Sequence, residues 1–183
     1  MAAQAFALFD SPIGSCGIAW NAKGIAGFHL PLATAQATRL RLHQRWAGAI
    51  ESAPPPGVQR VIDRVLALLN GEAIDLSDIP VDLDDAPEFH RRVYEVARTI
   101  PPGRTMTYGE IAKRLGAPHE SREVGQALGR NPIAIIVPCH RVLGADGKMG
   151  GFSASGGVAT KRRILEIEGA SALSAGPLFE RPR

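Results

Sequence analysis

Apolar residues come in short runs over the first part of the chain. Three such runs lie within residues 5–30, separated by the segments 10–14 (DSPIG) and 21–24 (NAKG). Short apolar runs bounded by Gly, Pro and Asn are typical of strands joined by tight turns. The pattern therefore predicts a three-stranded sheet at the start of the chain.

Two helices and a connector are predicted next. Residues 34–46 place Leu42 and Trp46 one helical turn apart. Residues 57–70 carry a continuous apolar face at helical spacing, and the glycine that follows is a common helix stop. The acidic, proline-containing stretch 72–87 lacks this periodicity and is predicted to link two domains.

The rest of the chain is predicted to be mainly helical. A helix follows Pro87 and must end near the PPG sequence at 101–103. Thr107 and Glu110 have the spacing of a capping box at the start of a short helix, and a second short helix is predicted at about 120–130. Two short helices joined by a tight turn favour a helix-turn-helix.

The predicted fold class is thus an α/β N-terminal domain followed by a mainly α, winged-helix-like domain that contains the helix-turn-helix. The boundary is placed between residues 1–84 and residues 85–183. The charge differs across it: 6 Lys/Arg and 8 Asp/Glu give the first part a net −2, and 15 and 10 give the second a net +5. A basic half suits a polyanion, but a solvated basic surface explains the same numbers.

The composition also indicates which features the protein is expected to lack. Hydrophobic residues make up 45% of the chain, no apolar run approaches the ~20 residues that cross a bilayer, and the first residues lack a secretory pattern. Two cysteines, Cys16 and Cys139, make no disulfide framework, and the five histidines are scattered. We expect a cytoplasmic monomer with no metal, no cofactor and no membrane partner.

The helix predicted at about 120–130 is rich in small residues. Gly125, Ala127 and Gly129 would give it a flat surface, and each glycine costs a helix about 1 kcal/mol relative to alanine. Tight packing inside the protein would explain such a surface, and so would close approach to a ligand. Arg122 and Arg130 on the same helix favour DNA.

Cys139 is the candidate nucleophile. It follows the apolar run 133–137, which is predicted to be buried extended chain, and it precedes His140. Imidazole can accept a thiol proton, and the thiolate is the strong nucleophile. Because neighbouring side chains of an extended chain point to opposite faces, His140 reaches Cys139 only through a turn or a water. An inert core cysteine is the alternative.

Glu168 strengthens the catalytic interpretation. In the last predicted helix, about 157–168, it follows Ile164 and Leu165 at the spacing of the buried stripe. A buried carboxylate needs a partner, and one that holds an imidazole nitrogen of His140 would orient the ring and raise its basicity. The alternative is an exposed glutamate at a frayed helix end.

The motifs in the second half resemble those of the O6-alkylguanine-DNA alkyltransferases. They occur in the same order and spacing over residues 85–170 and are, in chain order, 107–112 (TYGEIA), 121–125 (SREVG), 131–132 (NP), 138–142 (PCHRV), 156–157 (GG) and 167–169 (IEG). The opening segment 10–14 also matches. The resemblance implies an N-terminal α/β domain followed by a helix-turn-helix domain that holds the cysteine.

The resemblance also implies a partner and a chemistry. The partner is double-stranded DNA that carries O6-alkylguanine, with O4-alkylthymine as a further candidate substrate. The second helix of the helix-turn-helix enters the minor groove, the damaged base flips out, and its alkyl group is moved irreversibly onto Cys139.

Individual roles follow from the same resemblance. It implies that Glu168, His140 and a water relay the proton of Cys139, and that Asn131 braces the active-site turn. Tyr108 helps to rotate the nucleotide and hydrogen-bonds the flipped guanine, and Arg122 takes the place of the extruded base. The remaining residues predicted to contact DNA or the base are Gly125, Ala127, Arg130, Arg141, Phe152 and Ser153. Ala154 and Ser155 interrupt the family pattern in a loop that walls the base pocket.

Three other classes compete with this interpretation. A non-catalytic lesion-binding relative would replace the cysteine, so Cys139 argues against it. A plain helix-turn-helix regulator leaves the Cys139, His140 and Glu168 set unexplained. A cysteine hydrolase needs an oxyanion hole and multiple turnover.

Overall fold

A four-stranded sheet forms the N-terminal half in a computed structural model, which describes residues 3–153 and 156–170. Its strands are β1 (Ala5–Ser11), β2 (Gly14–Asn21), β3 (Gly24–His29) and β4 (Ile50–Glu51). The first three form antiparallel hairpins, β4 pairs in parallel with β1, and the order is β3-β2-β1-β4. The three predicted strands and their turns are confirmed. The two-residue β4 is too short to produce a sequence pattern.

Two helices pack on this sheet, α1 (Ala35–Arg45) and α2 (Pro56–Leu69). Thr34 caps α1, and its Oγ1 accepts from the Ala37 N–H at 3.1 Å. Leu42 of α1 is fully buried beside Phe6, while α2 buries the apolar face that its sequence predicts. Both helices lie within a residue or so of their predicted bounds.

The C-terminal half is mainly helical, as predicted. Its elements are α3 (Glu88–Arg98), β5 (Met106–Thr107), α4 (Tyr108–Arg114), α5 (Ser121–Gly129), β6 (Val142–Leu143) and α6 (Gly157–Ile167). The capping box is present: the Glu110 N–H donates to Thr107 Oγ1 at 3.1 Å, and the Thr107 N–H donates to Glu110 Oε2 at 2.6 Å. None of the helices in the described ranges is long and apolar enough to cross a membrane.

The two halves share one cluster of buried apolar residues. The Phe28 N–H of β3 donates to the Pro132 carbonyl at 3.0 Å, so an edge of the sheet lies directly against the chain that leaves α5. The stretch 72–87 has no helix or regular strand, but Leu76 and Ile79 within it are buried. The predicted connector is therefore packed along the protein, and the sheet is held beside the helical half.

Candidate active site

Cys139 follows a tight turn that comes after α5. The prediction of extended chain over 133–137 is wrong: the Val137 N–H donates to the Ile133 carbonyl at 2.9 Å, and Ile135 has a φ of 70°. Apolar residues alone do not distinguish a buried strand from a buried turn. A left-handed β-branched residue costs about 1–3 kcal/mol, and such strain persists only where the surroundings hold it.

The Asn131 side chain is what holds this turn. Its Nδ2 donates to the Val137 carbonyl at 2.8 Å, and its Oδ1 accepts from the Ile133 N–H at 2.9 Å. The chain then enters a short 3₁₀ turn, Cys139–Arg141. A single amide thus contacts both ends of the turn that delivers the cysteine.

A buried network of charged groups lies next to Cys139. The Glu168 side chain has no exposed surface, and its Oε1 lies 2.8 Å from His140 Nε2. Both carboxylate oxygens also accept from the Arg141 guanidinium at 2.9 Å, which donates in addition to the Ile100 carbonyl at 2.6 Å. The alternative of an exposed Glu168 at a frayed helix end is excluded.

This network determines which groups carry charge. Burial opposes ionisation of Glu168, but its interactions with His140 and with the Arg141 guanidinium outweigh burial and hold the pKa of Glu168 at about 2. Burial lowers the pKa of His140 in spite of Glu168, so the imidazole is neutral near pH 7 and its proton lies on Nε2, facing the carboxylate. His140 Nδ1 is buried without a hydrogen-bond partner within 3–153 and 156–170. That nitrogen is free to accept a proton.

Opposing influences act on the Cys139 thiol. Burial raises its pKa, whereas a hydrogen bond from the Asn131 side chain and the charge of Lys161 lower it. Because burial dominates, the thiol is neutral at rest and needs a base to become a nucleophile. The site therefore combines a protonated thiol, a neutral imidazole and a charge arrangement that favours the thiolate once it forms.

Lys161 is a site residue that the sequence analysis missed. Its side chain is buried, and Nζ donates to the Val142 carbonyl at 2.6 Å and lies 5.9 Å from the centre of the Tyr108 ring. Lys161 precedes Ile164 by three residues on the buried face of α6 that leads to Glu168. Lysine is rarely buried in a core. Its position on an apolar helical stripe is therefore the sequence feature from which Lys161 could have been predicted as a site residue.

Cys139 opens onto a cavity of about 300 Å³. Both halves line this cavity, and among the residues are His29, Arg41, Arg45, Asn131, Phe152 and Ser153. Ser153 Oγ donates to the Gly129 carbonyl at 2.9 Å, which ties the loop before α6 to the end of α5. The predicted pocket residues Phe152 and Ser153 thus lie beside Cys139, whereas the residues from the N-terminal half were not anticipated.

Tyr108 lines a smaller cleft that also reaches Cys139. Burial and the neighbouring Cys139 raise the pKa of Tyr108, so its hydroxyl remains protonated and can donate a hydrogen bond. A Cβ at Gly150 would lie 2.6 Å from that hydroxyl oxygen. Any larger residue at position 150 would force the Tyr108 ring to move, so glycine lets the backbone pass this close to the tyrosine.

Comparisons with known proteins identify the family. The family described as 6-O-methylguanine DNA methyltransferase, DNA binding domain, matches residues 88–170. The methylated-DNA–protein-cysteine methyltransferase of Mycobacterium bovis is 39% identical over 173 residues, which cover 93% of this chain and 96% of that protein. The chain belongs to the methylated-DNA–protein-cysteine methyltransferase family. The resemblance inferred from the sequence motifs is confirmed.

Two solved methyltransferase structures extend this similarity to the fold. The Mycobacterium tuberculosis OGT in complex with DNA is 36% identical, with a TM-score of 0.74 over 92% of this chain and 97% of that one. The O6-methylguanine-DNA methyltransferase from Pyrococcus kodakaraensis strain KOD1 is 25% identical, with a TM-score of 0.72 over 90% and 99%. The mixed sheet and the helical half are thus those of known methyltransferases.

Three of the residues assigned to DNA on α5 and at its end lie on the surface, and one does not. Arg122 and Arg130 are exposed, and Gly125 is partly exposed. Ala127 is fully buried, and its carbonyl accepts from the Tyr94 hydroxyl at 2.8 Å. The sequence-based assignment of Ala127 to the DNA surface is therefore corrected: this small residue serves the packing of α5 on α3, as the packing alternative held.

Arg141 is a second correction. The sequence analysis placed it among the residues that contact DNA, but its side chain is 5% exposed and is fully engaged by Glu168 and the Ile100 carbonyl. A guanidinium held in this way has no surface left for a phosphate. Arg141 instead neutralises the carboxylate that holds His140.

Three further features lie outside this network. Ala154 and Ser155, predicted to alter the wall of the base pocket, lie outside the described residues. Within the described ranges, no group of three His, Cys, Asp or Glu residues is placed to hold a metal ion. Cys16 is fully buried in the sheet, and burial raises its pKa to about 11, so that thiol is protonated and unreactive.

Proposed function

We propose that the protein repairs double-stranded DNA by transferring the alkyl group of O6-alkylguanine irreversibly to Cys139. The observation that carries this proposal is the neutral His140, next in sequence to Cys139. Glu168 holds its Nε2 at 2.8 Å, and its Nδ1 is buried without a hydrogen-bond partner among the described residues. Family membership supports the same chemistry.

The mechanism begins with formation of the thiolate. The Cys139 proton passes, through the water implied by the resemblance, to Nδ1 of His140. The imidazolium that forms is stabilised by Glu168, which is already ionised, and the thiolate by the Asn131 hydrogen bond and the charge of Lys161. Assistance of this general-base kind contributes about 10²–10⁴ in rate.

The transfer step is a displacement at the carbon attached to guanine O6. The S–C bond forms as the C–O6 bond breaks, and the electron pair of that bond remains on the guanine, which is reprotonated by the imidazolium. The Tyr108 hydroxyl donates to the base as this charge develops. The product at Cys139 is a thioether, which offers no carbonyl to water, so one protein molecule repairs one lesion.

DNA recognition is assigned to the helix-turn-helix. The carbon to be transferred is stacked inside the duplex, so the base must flip out to reach Cys139. We propose that α5 enters the minor groove, that the partly exposed Gly125 permits close approach, and that Arg122 occupies the space of the flipped base. Arg130, exposed at the end of α5, is assigned to a phosphate.

The proposal also covers the fold of the C-terminal half, the domain boundary, and the location and oligomeric state of the protein. The pairing of β5 with β6 beside α4 supports a winged-helix-like description of the C-terminal half. The change in net charge near residue 84 supports the proposed domain boundary. We also propose that the protein acts in the cytoplasm, as its composition favours, and that it acts as a monomer.

Stoichiometry tests the proposed function directly. With an excess of duplex DNA carrying radiolabelled O6-methylguanine, the label on the protein should reach a plateau at one methyl group per molecule. Repeated turnover would indicate a hydrolase, and binding without label transfer would indicate a lesion-binding protein. Either result would contradict the proposal.

Arg122→Ala should slow repair of duplex DNA much more than reaction with free O6-alkylguanine base. Loss of the side chain that fills the gap destabilises the flipped state, which costs a few kcal/mol of unstacking, whereas the free base needs no flipping. The measurement is the ratio of the two second-order rate constants. Equal slowing on both substrates would remove Arg122 from the extrusion step.

Arg130→Ala is the matched control at the other end of α5. If this arginine contacts a phosphate, its loss should weaken binding to all duplex DNA alike and lower the salt slope by about one unit. The same behaviour in Arg122→Ala would make Arg122 an ordinary phosphate contact.

A further inference from the structure

Strand β3 brings the N-terminal half to the mouth of the active site. Its Phe28 N–H is hydrogen-bonded to the Pro132 carbonyl at 3.0 Å, one residue beyond Asn131. As a result His29, the last residue of β3, lines the same 300 Å³ cavity as Cys139. The active-site cavity is therefore built from both halves of the chain.

Helix α1 adds two arginines to this cavity. It packs on β2 through Leu42, which lies against Gly17 of that strand, and it directs Arg41 and Arg45 to the lining that includes Cys139. The two arginines are four residues apart, so they occupy neighbouring positions on the helix surface, where like charges destabilise a helix. Both are exposed, which places them at the rim of the cavity.

The charges of these two arginines are uncompensated. On the same helix, Arg39 and His43 share the carboxylate of Glu51 at 3.1 and 3.2 Å. In the part of the chain that the structure describes, Arg41 and Arg45 have neither an ion pair nor a hydrogen bond. Burial lowers the pKa of His29, and the positive charges of Arg45 and Arg41 lower it further. An otherwise acidic half thus presents an unbalanced cationic pair, and it does so at the active-site cavity.

We propose that Arg41 and Arg45 bind a backbone phosphate of the DNA strand that carries the flipped nucleotide. This inference rests on the proposed function and extends the DNA-binding surface from the helix-turn-helix to the N-terminal half. The cavity and the cleft that Tyr108 lines meet at Cys139, Phe152 and Ser153. A base that reaches Cys139 between them would carry its sugar and phosphates past the rim where the two arginines lie. Arginine also suits phosphate oxygens through its planar set of donors.

The test is the salt dependence of binding to unmodified duplex DNA, which involves no alkyl transfer. Arg41→Ala and Arg45→Ala should each reduce the slope of log K against log salt by about one unit, and the double variant by more than either. Arg41→Lys and Arg45→Lys, which keep the charge, should retain most of the slope. Arg39→Ala is the control, because Glu51 already neutralises that side chain, and its slope should match the wild type.

Two results would overturn the proposal. The first is a slope in the double alanine variant equal to that of the wild type. The second is equal slowing of the double variant on O6-methylguanine in duplex DNA and on the free base, because a phosphate contact acts only on DNA. Failure of the wild-type protein to transfer the methyl group would instead reject the proposed function, and the salt slopes would still decide the phosphate contact.

Discussion

Cys139→Ala should abolish alkyl transfer while duplex DNA still binds. The sulfur is the atom that forms the new bond, and the other cysteine, Cys16, is fully buried away from the cavity. The proposed DNA contacts on α5 and α1 do not involve Cys139, so affinity for duplex DNA should stay close to that of the wild type. Label transfer and peptide mass analysis measure the first effect, and a gel-shift titration measures the second.

Cys16→Ala is the matched control for this variant. Cys16 is fully buried, and burial raises its pKa to about 11, so transfer should proceed at the wild-type rate. Label recovered on Cys16, or transfer that persists in Cys139→Ala, would refute the central assignment.

Glu168→Gln should slow transfer by about 10²–10⁴, the usual contribution of general acid–base assistance. Glutamine keeps the shape of the side chain but lacks the charge that stabilises the His140 imidazolium. The rate should be measured with the free base over a range of pH, because flipping then plays no part. An unchanged rate and pH profile would remove Glu168 from the relay.

The same variant should also be less stable. Loss of the carboxylate leaves the Arg141 guanidinium buried without its partner, and breaking a buried pair costs about 3–5 kcal/mol. The wild-type contribution of Glu168 has a defined pH window, because its pKa falls from 4.5 to about 2 on folding. It is fully present above pH 4.5 and is lost as pH falls towards 2, and denaturant unfolding of Glu168→Gln should lack this acid-dependent loss.

His140→Phe separates catalysis from stability. It removes the base but leaves the pairing of Arg141 with Glu168, so it should slow transfer as much as Glu168→Gln with a smaller loss of stability. Because the two residues act as one relay, the double variant should be hardly slower than either single variant. Additive losses in rate would mean that Glu168 acts without His140.

Local patterns were sufficient to predict most elements. The turns of the β1–β2–β3 hairpins, the apolar face of α2 and the capping box at Thr107 depend on residues close in sequence, and each is confirmed. Glu168 could be found because its helical spacing placed a carboxylate on a buried stripe. Lys161 lies on the same stripe and could have been found in the same way.

The errors concern properties that only the tertiary structure determines. An apolar run such as 133–137 can form either a buried strand or a buried turn. The hydrogen bonds of the Asn131 side chain favour the turn. Arginine is a residue type that commonly contacts DNA. The Arg141 side chain, however, binds Glu168, which lies 27 residues later in the sequence, and is therefore buried. The position of Arg41 and Arg45 in the cavity lining depends on long-range packing, including the backbone hydrogen bond between β3 and Pro132, which no local pattern reveals.

Few residue types can replace Asn131, although its side chain forms no covalent bond in the proposed reaction. Aspartate has the same size, but it lacks the amide donor to the Val137 carbonyl and would place a second negative charge beside the forming thiolate. Alanine or leucine would leave the Ile133 N–H without a partner and the Val137 carbonyl with only the Cys139 N–H, and the left-handed Ile135 would then be free to relax and move Cys139. Glutamine is one methylene too long for both hydrogen bonds at once. None of these four residues can therefore replace Asn131 and keep both of its hydrogen bonds.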